Sequence, residues 1–283
     1  MTFLNTTLRT PPHEAHRDFS RTRGFQFAAS LYAERLFALA LCACLTPFAL
    51  SAQPWNTVQQ GSTWYGGFVD HALTDRSALW FDTQWRRMGV AAEPQQLLIR
   101  PGVQYTITPG VRVGAGYAFI ATAPYGEAPI AQPLREHRVW QQLLLSHRAG
   151  ALSVSHRYRW EQRWLQSVAG DDLTPSQYQQ RARYMVRAQG ELPGLRVGSR
   201  AVLGFVWDEL LMPVGHADAT LRVTQNRLGG GIGVPINAAQ RVEVGYMNLW
   251  NALPGRRVNE VNHTLTLSWV WTKASPPPLP GQR

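Results

Sequence analysis

The sequence predicts an all-β protein: a closed antiparallel transmembrane β-barrel of about 12 strands, with 10 as the fallback count, behind an N-terminal signal peptide. Three observations lead there. Apolar and polar residues alternate with period two through most of the chain beyond residue 60, which is the pattern of strands between two different environments. Many of the alternating segments run about 10–14 residues, longer than ordinary globular strands and close to what a tilted strand needs to cross a bilayer. The polar face is dominated by arginine, as expected of guanidiniums fixed in a crowded polar space.

The N-terminal region reads as a leader. Arg35 is followed by the apolar run 36–50, LFALALCACLTPFAL, which ends near small residues and is too short to span a bilayer comfortably. Cleavage after Ala52 is expected, giving a leader and signal peptide over 1–52, an outer-membrane barrel over 53–272 and a Pro-rich flexible tail over 273–283. Lipidation at Cys44 fits poorly, because Cys42 and Ala43 precede it. Both cysteines lie in the leader, so the exported chain is expected to hold no disulfide, thiolate metal site or cysteine nucleophile. Beyond residue 52 there are 22 arginines and one lysine against 15 acidic residues, a net charge of +8.

The segments follow in order. SALWFDTQWRR sets Leu79, Phe81 and Trp85 against Asp82, Gln84 and Arg86. LLIRPGVQYTI sets Leu97, Ile99, Val103, Tyr105 and Ile107 against Arg100, Gln104 and Thr106. GVRVGAGYAF opposes its valines, Tyr117 and Phe119 to Arg112, Gly114 and Gly116. Residues 135–148 place Val139, Leu143 and Leu145 opposite Glu136, Arg138, Trp140 and Gln142. RYRWEQR separates Tyr158 and Trp160 from Arg157, Arg159, Glu161 and Arg163. RARYMVRAQ turns Arg181, Arg183, Arg187 and Gln189 away from Tyr184 and Val186. LRVGSRAVLGFVW groups Val197, Ala201, Leu203, Phe205 and Trp207 on the apolar face. RVEVGYMNLW aligns Val242, Val244, Tyr246 and Trp250, and NEVNHTLTLSWVW aligns Leu265, Leu267, Trp269 and Trp271 against Glu260, Asn262, Thr264, Thr266 and Ser268.

Backbone groups in lipid must be paired within the sheet, so it has to close, with apolar residues outward, polar residues inward and aromatic girdles at the rims. Tyr65, Trp80, Tyr105, Tyr117, Trp164, Tyr184, Trp207, Trp250 and Trp271 are the expected girdle. Gly114, Gly116, Gly198, Gly204 and Gly245 are expected inside, leaving room for long guanidiniums. A soluble sandwich would alternate too, but it would put the arginine face in water.

Short links are expected near 108–110, 149–150, 191–194 and 235–238, and long ones at 122–134, 166–176, 208–219 and 251–258. Counting back along this alternation starts the first clear strand, STWYGGFVD, at the outer end. An even strand number then calls for a short extra strand in 54–60 or a split segment. With Ala149-Gly150 as the turn, Glu136 faces Arg163, Arg138 faces Glu161, Trp140 faces Arg159 and Gln142 faces Arg157. The predicted luminal polar network is Glu136, Arg138, Trp140, Gln142, Arg157, Arg159, Glu161, Arg163, Arg181, Arg183, Arg187 and Arg227. Such a lumen is expected to be filled or nearly closed, with room for at most a narrow channel.

GSTWYGGFVDHALTDRSALWFDTQW, RPGVQYTIT, GAGYAF, EHRVWQQLLL, HRYRWEQRW, RARYMVR, WDELL, TQNRLGGGIG and VEVGYMNLW together resemble the domain of unknown function 2490 family. The resemblance covers about residues 61–272 and implies a bacterial outer-membrane barrel with no assigned activity. It also implies a polar core to which Glu209, Asn226 and Arg227 belong with the network residues of 136–163.

The chain is expected not to be an enzyme and to need no metal or cofactor. The hydrolase alternative, an outer-membrane lipid or lipopolysaccharide hydrolase, would use His156 with Ser153 or Ser155, His147 with Ser146, or His137 near Glu136. Neighbouring strand residues point to opposite faces, so these are poor nucleophile–base pairs. The glycines 229–231 and 233 lack the setting of a phosphate loop and suit a kink in the wall. Expected partners are outer-membrane lipid or lipopolysaccharide, the barrel-assembly machinery during biogenesis, and small anionic solutes. No nucleic-acid partner and a monomeric state are expected, with localisation in the outer membrane of a Gram-negative-type bacterium.

Overall fold

Residues 55–169, 172–215 and 222–273 are described by the computed structural model. The predicted signal peptide and all of the tail beyond Lys273 lie outside the described residues. Alternation makes strands, and the strands close. In chain order they are β1 (Asn56–Ala72), β2 (Ser77–Met88), β3 (Glu93–Thr108), β4 (Val111–Thr122), β5 (Leu134–Ala149), β6 (Leu152–Ala169), β7 (Asp172–Leu173), β8 (Gln177–Val197), β9 (Arg200–Val214), β10 (Gln225–Pro235), β11 (Gln240–Leu253) and β12 (Val258–Lys273). The wall runs β5-β4-β3-β2-β1-β12-β11-β10-β9-β8-β6 and closes by pairing β5 with β6. Closure leaves no row of unpaired backbone groups along an edge.

Among the described residues there are therefore twelve strands, but eleven make the wall; β7 only folds back on the end of β6. In place of the expected extra strand in 54–60, residues 56–60 continue β1. An odd count forces the first and last strands to run side by side in the same direction. The seam is accordingly parallel, Asn56 beside Val258 through His71 beside Lys273, and the barrel is not antiparallel throughout. Polar side chains tie the seam from within: Ser62 and Thr264 hydroxyls lie 2.8 Å apart, and Gln60 donates to Glu260. Both β1 and β12 begin at the end carrying the longer connections. β1 thus starts at the longer-connection end, as the alternation of short and long links implies, and the wall holds an odd number of strands where an even number was expected.

Two turns also differ from expectation. β8 continues through Pro193 and Gly194 as an irregularity opposite β9 and turns at Gly198 (φ +59°) and Ser199. β9 runs on to Val214, through residues expected to be loop. Between β5 and β6 the turn is Gly150-Ala151, with Gly150 at φ +61°, so partners are shifted by two residues from the expected register. A shift of two keeps every side chain on its face, whereas a shift of one would have exchanged the faces.

The exterior is apolar: Leu79, Phe81, Leu97, Ile99, Val103, Ile107, Val139, Tyr158, Trp160, Leu265 and Trp269 are all exposed. The buried face is charged. Trp80, Phe205 and Trp207 go inward, against expectation, because their strands share parity with Asp82 and Glu209, whose carboxylates must be paired inside. Gly204 lies on the outward parity and Gly198 in a turn. Gly114, Gly116 and Gly245 are on the inward parity, as expected.

The parallel seam is directly testable. In a chain lacking Cys42 and Cys44, cysteines at Gly67 and Trp269 are register partners and should cross-link on oxidation, whereas cysteines at Gly67 and Lys273 should not. Cross-linking only in the second pair would contradict the eleven-strand closure.

Candidate functional site

Inward parity on β5, β6, β8, β9 and β10 brings arginines and glutamates from five strands into one connected set. Glu136 accepts from Arg138 and from Arg163 (2.5 and 3.0 Å). Glu161 holds Arg181 at 2.5 Å and Arg183 at 2.7 Å, with Arg138 at 3.7 Å. Glu209 holds Arg183 at 2.6 Å, Arg157 at 2.8 Å and Arg227 at 3.3 Å. Arg138 and Arg183 each bridge two carboxylates, so six arginines and three glutamates form a single network. The bond from Arg157 on β6 to Glu209 on β9 passes over β8, which places these groups inside the closed wall.

The register shift alters who faces whom without separating the expected partners. Arg138 is opposite Arg163, Trp140 opposite Glu161, and Gln142 opposite Arg159. Glu136 nevertheless bonds Arg163, and Arg138 reaches Glu161, along the diagonal where long side chains still touch. Arg159 is the exception to ion pairing: it donates to Gln142 Oε1 at 2.6 and 3.2 Å, and its guanidinium lies 4.7 Å from the Trp140 ring and 5.2 Å from the Trp80 ring. Trp80 is four strands from β6, so this contact spans the interior. Arg187 stands apart from the network, joining Arg241 on Glu243 at 2.8 Å each.

Trp140 is fully buried and packs edge-on against Trp80. Its indole donates to the Tyr117 carbonyl at 3.2 Å, and a Cβ at Gly102 or Gly116 would overlap its ring. On the opposite wall, Gly229 makes the same room for Trp207. Trp207 packs with Trp64, Met247 and Leu249. The inward glycines thus accommodate indoles more than guanidiniums. At mid-height Trp140, Arg159, Glu161 and Met247 are at most 2 % exposed, and the interior is filled there.

Sequence reasoning left out several interior groups. Arg86 donates to Gln84 and Gln96 and stacks 3.5 Å over Trp64. Arg100 pairs with Asp82 at 3.4 Å. Their alternation had marked Asp82, Arg86 and Arg100 as polar-face residues, but no cross-strand pairing linked them to the β5–β6 hairpin. Asn226, expected in the polar core, faces outward and donates to Asp208 at 2.6 Å, since its neighbour Arg227 takes the inward position.

Toward the longer connections the interior opens into a cavity of about 1000 Å³. The 123–133 connection lies beside its mouth, pinned by Arg256 to the Ala128 and Pro129 carbonyls, both at 2.7 Å, and by Gln60 to the Glu127 amide at 3.2 Å. Tyr125 on this connection sits against Glu260, and burial together with that carboxylate pushes its phenol up to about 12.

His137, His147, His156 and His263 lie on the other face. His156 Nδ1 is 2.9 Å from the Tyr184 hydroxyl, His137 Nδ1 2.5 Å from Tyr117, and His263 Nδ1 2.6 Å from Tyr246. His147 stacks on His156 with ring centroids 5.5 Å apart. Ser146 and Ser155, register partners, share the interior parity, as does Ser153, so none meets these imidazoles. Glu136 is inside and His137 outside. Among the described residues no group of three or more His, Cys, Asp or Glu is placed to hold a metal ion.

Breaking one member of a buried ion pair strands the charge it leaves behind, at a cost of roughly 3–5 kcal/mol. Glu161→Gln should therefore lower the urea midpoint of the folded barrel strongly, and Arg148→Gln, on an exposed residue at the far end, should leave it unchanged. Equal midpoints for the two variants would contradict the network.

No curated protein and no solved structure matches the chain. The family model described as "Protein of unknown function (DUF2490)" matches residues 61–260, from the start of the β1–β2 pairing into β12. That match takes in the whole network, and the chain belongs to the DUF2490 family.

Proposed function

We propose that this chain is an outer-membrane β-barrel with a charged, arginine-rich lumen that its own ion pairs and indoles close at mid-height, so that it serves as a structural and solute-binding barrel and not as an open pore or an enzyme. The observation that carries this reading is the connected set of six arginines and three glutamates, beside which Arg159 meets the Trp80–Trp140 pair across the interior. An apolar exterior on a closed sheet suits lipid, since every wall strand finds its backbone partners within the barrel. The exterior polar groups support the same placement: the Tyr–His pairs and Asn226–Asp208 satisfy one another, as groups facing hydrocarbon must. The longer connections and the cavity mouth then face away from the periplasm.

A lumen of this kind holds anions better than it passes them. Fixed cations attract small anionic solutes to the open end, while the filled layer beneath offers no continuous water path.

Planar-bilayer recording on the chain from residue 53 onward, refolded and shown to insert by heat-modifiable gel mobility, tests the reading. A silent bilayer is the expected result. Stable anion-selective steps that change when Arg159 and Arg183 are neutralised would overturn the closed lumen.

A further inference from the structure

The cavity at the longer-connection end carries more positive charge than its walls neutralise. Among the described residues eight arginines line it against two glutamates, and counting Glu161, Glu209 and Asp82, which pair with lining arginines from behind, still leaves three arginines in excess. We propose that this cavity binds a small phosphorylated sugar through Arg86 and Arg227, with Asn262 taking a sugar hydroxyl; the proposal rests on the closed lumen above.

Arg86 is buried and, among the described residues, has no carboxylate within ion-pair distance. Three of its five donors are held by Gln84 and Gln96, which leaves two for a ligand. Arg227 approaches the same Trp64 ring, its guanidinium 5.3 Å from the centroid against 3.5 Å for Arg86. Among the described residues its buried Nε has no hydrogen-bond partner. Two guanidiniums over one indole repel each other, and an oxyanion reaching both removes that repulsion. Guanidinium forks match phosphate oxygens in pairs, and such charge-assisted bonds are among the stronger ones.

The second half of the ligand follows from a different group. Asn262, on β12, is 1 % exposed and lines the cavity, and among the described residues its Oδ1 has no donor. An acceptor in that position asks for a hydroxyl or amine; a phosphate monoester, largely dianionic at neutral pH, has none to give, so the donor must come from the rest of the ligand. Gln225 and Asn251 add further polar lining. The volume is at the upper end of small-molecule sites. The same chemistry is presented by a free sugar phosphate and by the phosphorylated headgroup of a glycolipid.

Calorimetric titration of the refolded barrel with glucose 6-phosphate, glucose and inorganic phosphate is the test. Glucose 6-phosphate should bind at least about tenfold tighter than either fragment, and Arg86→Gln or Arg227→Gln should weaken it by about tenfold or more. Arg148→Gln should have no effect. A phosphorylated glycolipid in nanodiscs competing with glucose 6-phosphate supports the class with the headgroup as source; binding of the free sugar phosphate without such competition supports it with a solute as source. Phosphate binding as tightly as the sugar phosphate, or an unchanged Arg86→Gln, would overturn the site. Should the variants fail to fold, the unaltered barrel decides: glucose 6-phosphate should raise its unfolding midpoint and glucose should not, and no shift sinks the proposal. Bilayer recordings on the same sample separate the two readings, since a silent barrel without binding loses only the site.

Discussion

Guanidinium–carboxylate pairing inside a closed sheet is the constraint on which the rest of this barrel depends. An arginine removed from water with no partner is costly by several kcal/mol, and the cost falls only when its hydrogen bonds are met in good geometry. Glu136, Glu161 and Glu209 meet it for six arginines, with Arg138 and Arg183 shared between carboxylates. Sharing holds the side chains already ordered by one pair in place for the next. The wall must bring β5, β6, β8, β9 and β10 to one register for this to happen, so the network specifies the strand arrangement as well as benefiting from it.

The same constraint explains the packing around it. Cations remaining after pairing are placed over indoles: Arg86 on Trp64, Arg159 on Trp140 and Trp80. The indoles need room, and Gly102, Gly116 and Gly229 provide it in the facing strands. Filling at mid-height and a cationic cavity above it are two consequences of one composition, many arginines and fewer acids, folded with the polar face inward.

Much of this was legible in the sequence because period-two alternation fixes faces whatever the register. Glu136, Arg138, Arg157, Glu161 and Arg163 were placed together from a turn assigned one position away from the true one, and the resulting two-residue slip changed opposite partners into diagonal ones. Trp80, Phe205 and Trp207 were misplaced because aromatic residues suit a membrane rim and a packed interior equally; only the carboxylates two positions on, Asp82 and Glu209, distinguish the cases. The parallel seam between β1 and β12 left a trace as an odd strand count, but no local pattern marks which strands meet at closure. Arg86 and Asn262 were visible as polar-face residues, and their importance depends on strands far apart in sequence.

A double-mutant cycle on Glu161 and Arg183, by urea unfolding of the refolded barrel, tests the network most directly. The Arg183–Glu161 ion pair is 2.7 Å long and both side chains are buried. Glu161→Gln, Arg183→Gln and the double variant should show a coupling of at least about 1 kcal/mol, with the double variant far less destabilised than the two losses added. Strictly additive losses would mean that these charges do not hold one another, and that the interior is organised by something else.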